Sequence, residues 1–261
     1  MTIQTLIVHD HNIETAKKVA LNINGELEAR KSHYRVHTKS NFEIENLRSH
    51  HSVDLNIFDQ GFDYDNIKLM VSDMDSTLIS IETIDEVARQ VGLSNEVSCI
   101  TEEAMQGQLD FSESFKKRLS ILKGVGTESF NEVYKNKMEL NPGARELVKF
   151  LKSINIKTAL VSGGVNFFAE KVTYVLGIDT YRANDVEIKN EALTGKVLGA
   201  VVDAKAKANY IEELCKHYRL SPKQVIAIGD GANDLEMMKV AGLSVAYHGK
   251  PILKKSCNIH I

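Results

Sequence analysis

Leu69-Met70-Val71-Ser72-Asp73-Met74-Asp75-Ser76-Thr77 is an apolar run that ends in two carboxylates two positions apart, followed by two hydroxyls. Read as a strand, its period of two places Asp73 and Asp75 on one face. As the strand frays into a loop, Asp75 swings over the same point in space as Asp73. Both acids then serve one site at the strand's carboxyl end, where open α/β sheets bind ligands. Two carboxylates this close repel, so the site needs either a cation between them or one retained proton. A strand running into an Asp/Ser turn would have the same letters, and the rest of the chain has to decide between the two.

Downstream, strands alternate with helices. Asn141-Pro142-Gly143 opens a helix through Leu151, and Lys157 to Val161 reads as a buried strand ending in Ser162-Gly163-Gly164, with a helix from about Val165. A glycine turn at a helix N-terminus lets backbone N–H groups approach an oxyanion. Val186–Ile188 and Leu198–Val202, separated by Gly195, read as a hairpin flap. Lys205 and Lys207 then open a helix to about His217; lysines there oppose the helix dipole, which points to an anionic neighbour. Val225 to Ile228 is a fully apolar strand ending in Gly229-Asp230-Gly231-Ala232-Asn233-Asp234. A dinucleotide fingerprint fails, because the sixth position is Asp234 and an acid between the glycines would repel a pyrophosphate. Two carboxylates on a glycine-rich strand end suggest instead a hard divalent cation with oxygen ligands.

Residues 83 to about 137 show helical periodicity in four segments punctuated by glycines, as expected for a helical lid over the sheet that excludes water from its mouth. Glu82 stands at the entrance of its first helix and Arg118 on its third. Residues 1 to 65 read as β-α-β-β-α-β, a ferredoxin-like (ACT-like) pattern, with Gly25 expected to cap the first helix. Six of the nine histidines fall in this part, but no acid or cysteine joins them at ligand spacing. It holds none of the strand-end motifs, which suggests a regulatory or dimer-forming unit, and hence a homodimer.

Composition narrows the function further. A net charge of -3 over 261 residues provides no basic footprint for nucleic acid. The three cysteines are far apart and read as reduced thiols, and no stretch approaches a membrane span. A soluble cytoplasmic protein acting on a small molecule is expected, with neither nucleic acid nor membrane as partner.

Successive strand ends thus carry Asp73/Asp75, Ser162, Lys207 and Asp230/Asp234: nucleophile, acid, hydroxyl donor, cation and metal carboxylates, the parts of a phosphoryl transfer. The set resembles the four motifs of the haloacid dehalogenase-like superfamily over roughly residues 68–255, and within it the phosphoserine phosphatases. The resemblance implies a Rossmann-like parallel sheet, with a helical cap (about 80–138) inserted after the first core strand of a catalytic domain spanning 66–261. The small α+β domain spans 1–65. It also implies hydrolysis of O-phospho-L-serine through an aspartyl-phosphate, as the last step of serine biosynthesis. Asp73 would be nucleophile, Asp75 acid/base, and Ser162 and Lys207 phosphate-binding groups, with Lys207 favoured over Lys205 by its distance from the Gly229 motif. Mg²⁺ would be held by Asp73, the Asp75 backbone carbonyl and Asp230. Glu82, Met105, Phe111, Arg118, Ser162, Gly163 and Asn233 would hold substrate, and Asp234 would support the site. Two alternatives stay open on sequence: a receiver-type phospho-switch, against which the acid/base Asp75 speaks, and transfer to an alcohol such as homoserine instead of water.

Overall fold

The computed structural model describes residues 3–58, 62–105 and 108–261, the side chain of Met105 excepted. Its first sheet is built from β1 (Gln4–His9), β2 (Glu26–Ala29), β3 (Tyr34–Thr38) and β4 (Asp54–Phe58), with helices α1 (Ile13–Asn22) and α2 (Ile44–His50) between them. The order β2-β3-β1-β4 is antiparallel throughout, the split βαβ arrangement expected of a ferredoxin-like unit. Leu6, Val8, Val36 and Leu55 pack beneath Ala16, Val19 and Leu47 of the two helices. Gly25 does not cap α1. Asn24 takes the left-handed conformation there (φ 48°), and Gly25 is needed because a Cβ at that position would run into Val36.

The second sheet is formed around β5 (Leu69–Ser72), whose apolar residues are buried on both faces. Such two-sided burial explains a continuous apolar run in place of alternation. Met70 enters one core layer, while Leu69 and Val71 enter the other. Between β5 and the next strand lie α3 (Thr83–Gln90), α4 (Ser94–Met105), α5 (Phe111–Ile121) and α6 (Thr127–Asn136), the four cap helices that the periodicity anticipates. Then follow α7 (Ala144–Ser153), β6 (Lys157–Val165), α8 (Asn166–Leu176), β7 (Thr180–Lys189) and β8 (Ala192–Leu198). The chain closes with α9 (Ala204–Tyr218), β9 (Val225–Gly229), α10 (Leu235–Val240), β10 (Leu243–Ala246), α11 (Pro251–Lys254) and β11 (Ile259–His260).

The sheet order is β11-β10-β9-β5-β6-β7-β8, with every pair parallel except β7–β8. From β5 the chain winds out through β6 and later returns to lay β9 on the other side. The switch point where ligands bind therefore falls between β5 and β9, whose ends carry Asp73 and Asp230.

Two local expectations are corrected. Ser162-Gly163-Gly164 is not a turn: β6 continues through it to Val165, and α8 begins only at Asn166. The hairpin pairs β7 with Ala192–Leu198, not with Leu198–Val202, and turns at Asn190-Glu191, both at positive φ (50° and 60°). Two left-handed residues make the twist-matched two-residue loop, which the Asn-Glu pair conceals because it lacks the usual glycine. This hairpin backs the cap: the Gly124 N–H donates to Leu193 O (2.8 Å) and the Thr127 N–H to Glu191 O (2.8 Å).

The small sheet is tied to the large one at their edges. The buried Asn56 of β4 donates to His260 O (2.9 Å) and accepts from the His260 N–H (2.8 Å), so its amide pairs with β11 as another strand's backbone would.

Candidate active site

The ends of β5, β6 and β9 and the first turns of α9 meet beneath the cap. Asp73 extends the ladder, its N–H donating to Ile228 O (2.9 Å), and its Oδ1 accepts from the Met74 N–H (2.7 Å). Lys207 is fully buried, with Nζ 2.8 Å from Asp73 Oδ2 and 2.7 Å from Asp234 Oδ1. Lys205 is exposed, so the anionic neighbour inferred for the lysine pair belongs to Lys207. Burial works against the Lys207 charge, but Asp234 and Asp73 together outweigh it and hold the ammonium charged. Asp234 also accepts from the Asp230 N–H (3.1 Å) and the Gly231 N–H (3.0 Å). Gly229 leaves the room this requires, since a Cβ there would collide with the Asp234 carboxylate.

Asp75 is half-buried at the cavity wall. Its Oδ2 accepts from Thr83 Oγ1 (3.0 Å) at the start of the cap, while among the described residues its Oδ1 has no hydrogen-bond partner. Burial, reinforced by Glu82 and Asp73, pushes its carboxyl well above the usual carboxylate range. A neutral acid with one free oxygen can donate a proton. Burial and then Asp234 raise Asp73 as well, against the pull of Lys207. Asp230 is pushed up to about 6 by burial, Asp234 and Glu82, and its Oδ1 accepts from Thr77 Oγ1 (3.3 Å).

Carboxylate oxygens of Asp73, Asp230 and Asp234 lie within 4.8 Å of one another. Three buried acids against one lysine leave a charge deficit that suits a hard divalent cation. Asp234, already taking three donors, is the least free of the three to ligate, so Asp73 and Asp230 fit that task best. The Asp75 side chain does not join this group.

A cavity of about 680 Å³ opens above these groups. Its floor includes Asp73, Asp75, Ser162, Gly163, Asp230 and Asn233, and its cap side includes Glu82, Phe111 and Arg118. Asn233 Nδ2 donates to Asp73 Oδ2 (3.3 Å). Ser162 Oγ accepts from the Gly164 N–H (2.8 Å), leaving its own proton available to the cavity. The Phe111 ring lies on Gly163, where any Cβ would strike it, so the glycine lets the cap seat on β6. Glu82 accepts from Ser76 Oγ (2.8 Å), and Ser76 itself is left-handed (φ 55°). Met105 ends α4, and its side chain lies outside the described residues.

Several site residues have no role that the sequence alone assigns. Asn184 Nδ2 donates to Gly163 O (2.8 Å) while its Oδ1 accepts from the Val202 N–H (2.8 Å), clamping β6 to the loop after β8. Thr83, Asp85 and Lys250 also belong to the site or its rim. Asn184 sits inside β7, Thr83 and Asp85 in the first turn of α3 and Lys250 in a loop, places where local spacing assigns no role.

The chain belongs to the haloacid dehalogenase-like hydrolases, whose family model matches residues 67–242. It is 45% identical over 201 residues to the phosphoserine phosphatase of Albidiferax ferrireducens, a match covering 75% of this chain and 85% of that relative. A HAD family hydrolase from Salmonella enterica serovar Typhi superposes with a TM-score of 0.90 at 28% identity, over 100% of this chain and 94% of that one. A phosphoserine phosphatase solved as a phospho-aspartyl intermediate analogue matches with a TM-score of 0.70 at 42% identity, over 75% of this chain and 93% of that one. The protein is a phosphatase enzyme, and its resemblance to the phosphoserine phosphatases stands.

Proposed function

We propose that the protein hydrolyses O-phospho-L-serine to serine and phosphate through an aspartyl-phosphate at Asp73. The observation that carries this reading is the single cavity that has Asp73 and Asp75 at its floor and Glu82 and Arg118 at its cap side. The floor has the groups for phosphoryl transfer, and the cap has one charge of each sign for the ammonium and carboxylate of an amino acid.

Asp73 attacks phosphorus in line, with Lys207 pulling its carboxyl toward the ionised form against the effect of burial. Asp75, held by Thr83 with one oxygen free, donates its proton to the departing serine oxygen. It then takes a proton from the water that opens the acyl-phosphate. Ser162 and Asn233 line the cavity where charge spreads over the phosphoryl oxygens, and Lys207, buried behind Asp73, adds its positive charge from beneath. Mg²⁺, held by Asp73, Asp230 and the Asp75 backbone carbonyl, would neutralise charge between nucleophile and phosphate. Asp234 holds Lys207 and the Gly229 loop in place. Acid/base Asp75 favours hydrolysis over a long-lived phospho-switch, because it hastens loss of the acyl-phosphate. The chain divides near residue 65 into the small α+β unit and the catalytic unit, with its cap over about 80–138, and its place is the last step of serine biosynthesis in the cytoplasm.

The test is phosphate release from a panel of phosphorylated amino acids with and without Mg²⁺ and with added homoserine, together with mass spectrometry of protein quenched during turnover. Phosphoserine should be the preferred ester and phosphate should be found on Asp73. Phosphate on a serine or histidine would overturn the mechanism, and phosphohomoserine as product would reassign the acceptor.

A further inference from the structure

Asp85 lines the same cavity as Arg118, three residues beyond Glu82 and one turn into α3. Arg118 projects from α5 with only 14% of its side chain exposed, and its Nη1 stands 3.5 Å from Asp85 Oδ1. That distance is at the outer limit of a hydrogen bond. Among the described residues neither Asp85 Oδ1 nor the buried Arg118 Nε has a hydrogen-bond partner. A guanidinium has five donors, and the loose ion pair to Asp85 engages only its Nη1 end. Such a buried cation is expensive unless a second anion completes its shell. Burial also raises the Asp85 carboxyl, against the pull of Arg118.

We propose that Asp85 is the positioning residue for Arg118: it orients the guanidinium across the cavity through one oxygen and leaves the edge of the guanidinium that lines the cavity to the carboxylate of the substrate. The proposal rests on the phosphoserine reading above and deepens it. Glu82 is held separately by Ser76, so the two charges that read the amino-acid head are aimed by different partners. A tight bidentate Asp–Arg pair would have closed the fork to substrate. The loose pair orients the arginine without using up its donors.

The experiment compares kcat/KM for three esters: phosphoserine, phosphoethanolamine, which lacks the carboxylate, and 3-phosphoglycerate, which lacks the ammonium. The wild-type profile alone tests the phosphoserine reading. If 3-phosphoglycerate is preferred, that reading falls while the Asp85 test proceeds on that ester. If neither carboxylate-bearing ester is preferred over phosphoethanolamine, both fall. Asp85→Asn should lower kcat/KM for the carboxylate-bearing esters about 10- to 30-fold, mainly through KM, relative to phosphoethanolamine. In an Arg118→Ala background the same substitution should change this selectivity less than twofold, because the group it positions is gone. A merely structural Asp85 would act equally in both backgrounds and on all three esters, which overturns the proposal. A loss confined to the two ammonium-bearing esters would make Asp85 a direct ammonium acceptor and overturn it as well.

Discussion

Replacing Lys207 by Met removes the one cation shared by two buried carboxylates. Lys207 and Asp234 are 0% exposed and Asp73 4% in their side chains, so water cannot take over the lost contacts. Breaking a buried pair by removing one partner costs about 3–5 kcal/mol. The lower end applies, because Asp234 keeps the N–H donors of Asp230 and Gly231, and Asp73 keeps those of Met74 and Asn233. One of the two acids also takes up a proton. At roughly 2–4 °C per kcal/mol for a chain of this size, the melting midpoint should fall by about 6–12 °C. Turnover should fall by at least about 100-fold, since a neutral Asp73 cannot attack and the phosphoryl oxygens lose a cation. Adding Asp234→Asn should restore most of the stability and none of the activity: the Asn oxygen can still accept from the loop N–H groups, while its amide donates to Asp73. Circular-dichroism melts and phosphate release measure the two halves. A Lys207→Met midpoint within about 2 °C of wild type, or a double variant no more stable than the single one, would refute the charge accounting.

Three further outcomes follow from the same geometry. With an aryl phosphate, whose leaving group needs no proton, Asp75→Asn should still phosphorylate Asp73 but not release phosphate, so that the phosphorylated protein accumulates under mass spectrometry; full turnover would remove Asp75 from the second step. Asp230, at about 6 in the fold against about 3.9 unfolded, binds its proton more tightly in the native state. Its stabilising contribution is therefore full below pH ~4 and lost as pH rises through ~6. Metal-free protein should lose roughly 1–1.5 kcal/mol between pH 5 and 7.5 from this group, and Mg²⁺ should raise the midpoint more at pH 7.5 than at pH 5; an equal Mg²⁺ effect at both would exclude Asp230 as a ligand. A chain beginning near Asp65 should remain active, but hydrogen exchange at residues 259–261 should quicken because Asn56 no longer pairs with His260. Light scattering of the same truncation tests the small sheet as a dimer contact, and a folded but inactive product would refute the division near residue 65.

What the chain declares in its letters is its repeating part. The two-sided apolar run at 69–72, the apolar strand at 225–229 and the helical period of the cap are local patterns. The motifs at the strand ends could therefore be assigned to one rim before any contact was known. Preference for Lys207 over Lys205 also came from spacing, and the buried contacts to Asp73 and Asp234 give it a physical basis. Tertiary structure decided the rest, because those features depend on which distant segments meet. Asn184 clamping Gly163, Thr83 holding Asp75, Asp85 beside Arg118 and Asn56 joining two sheet edges are pairs between 8 and 204 residues apart. None has a local period to reveal it. The misplaced cap at Gly25 and the misplaced hairpin strand have the same origin: a glycine or a turn is read from backbone preference, whereas Val36 beneath Gly25 and the cap behind β8 are packing facts that exist only once the chain has folded.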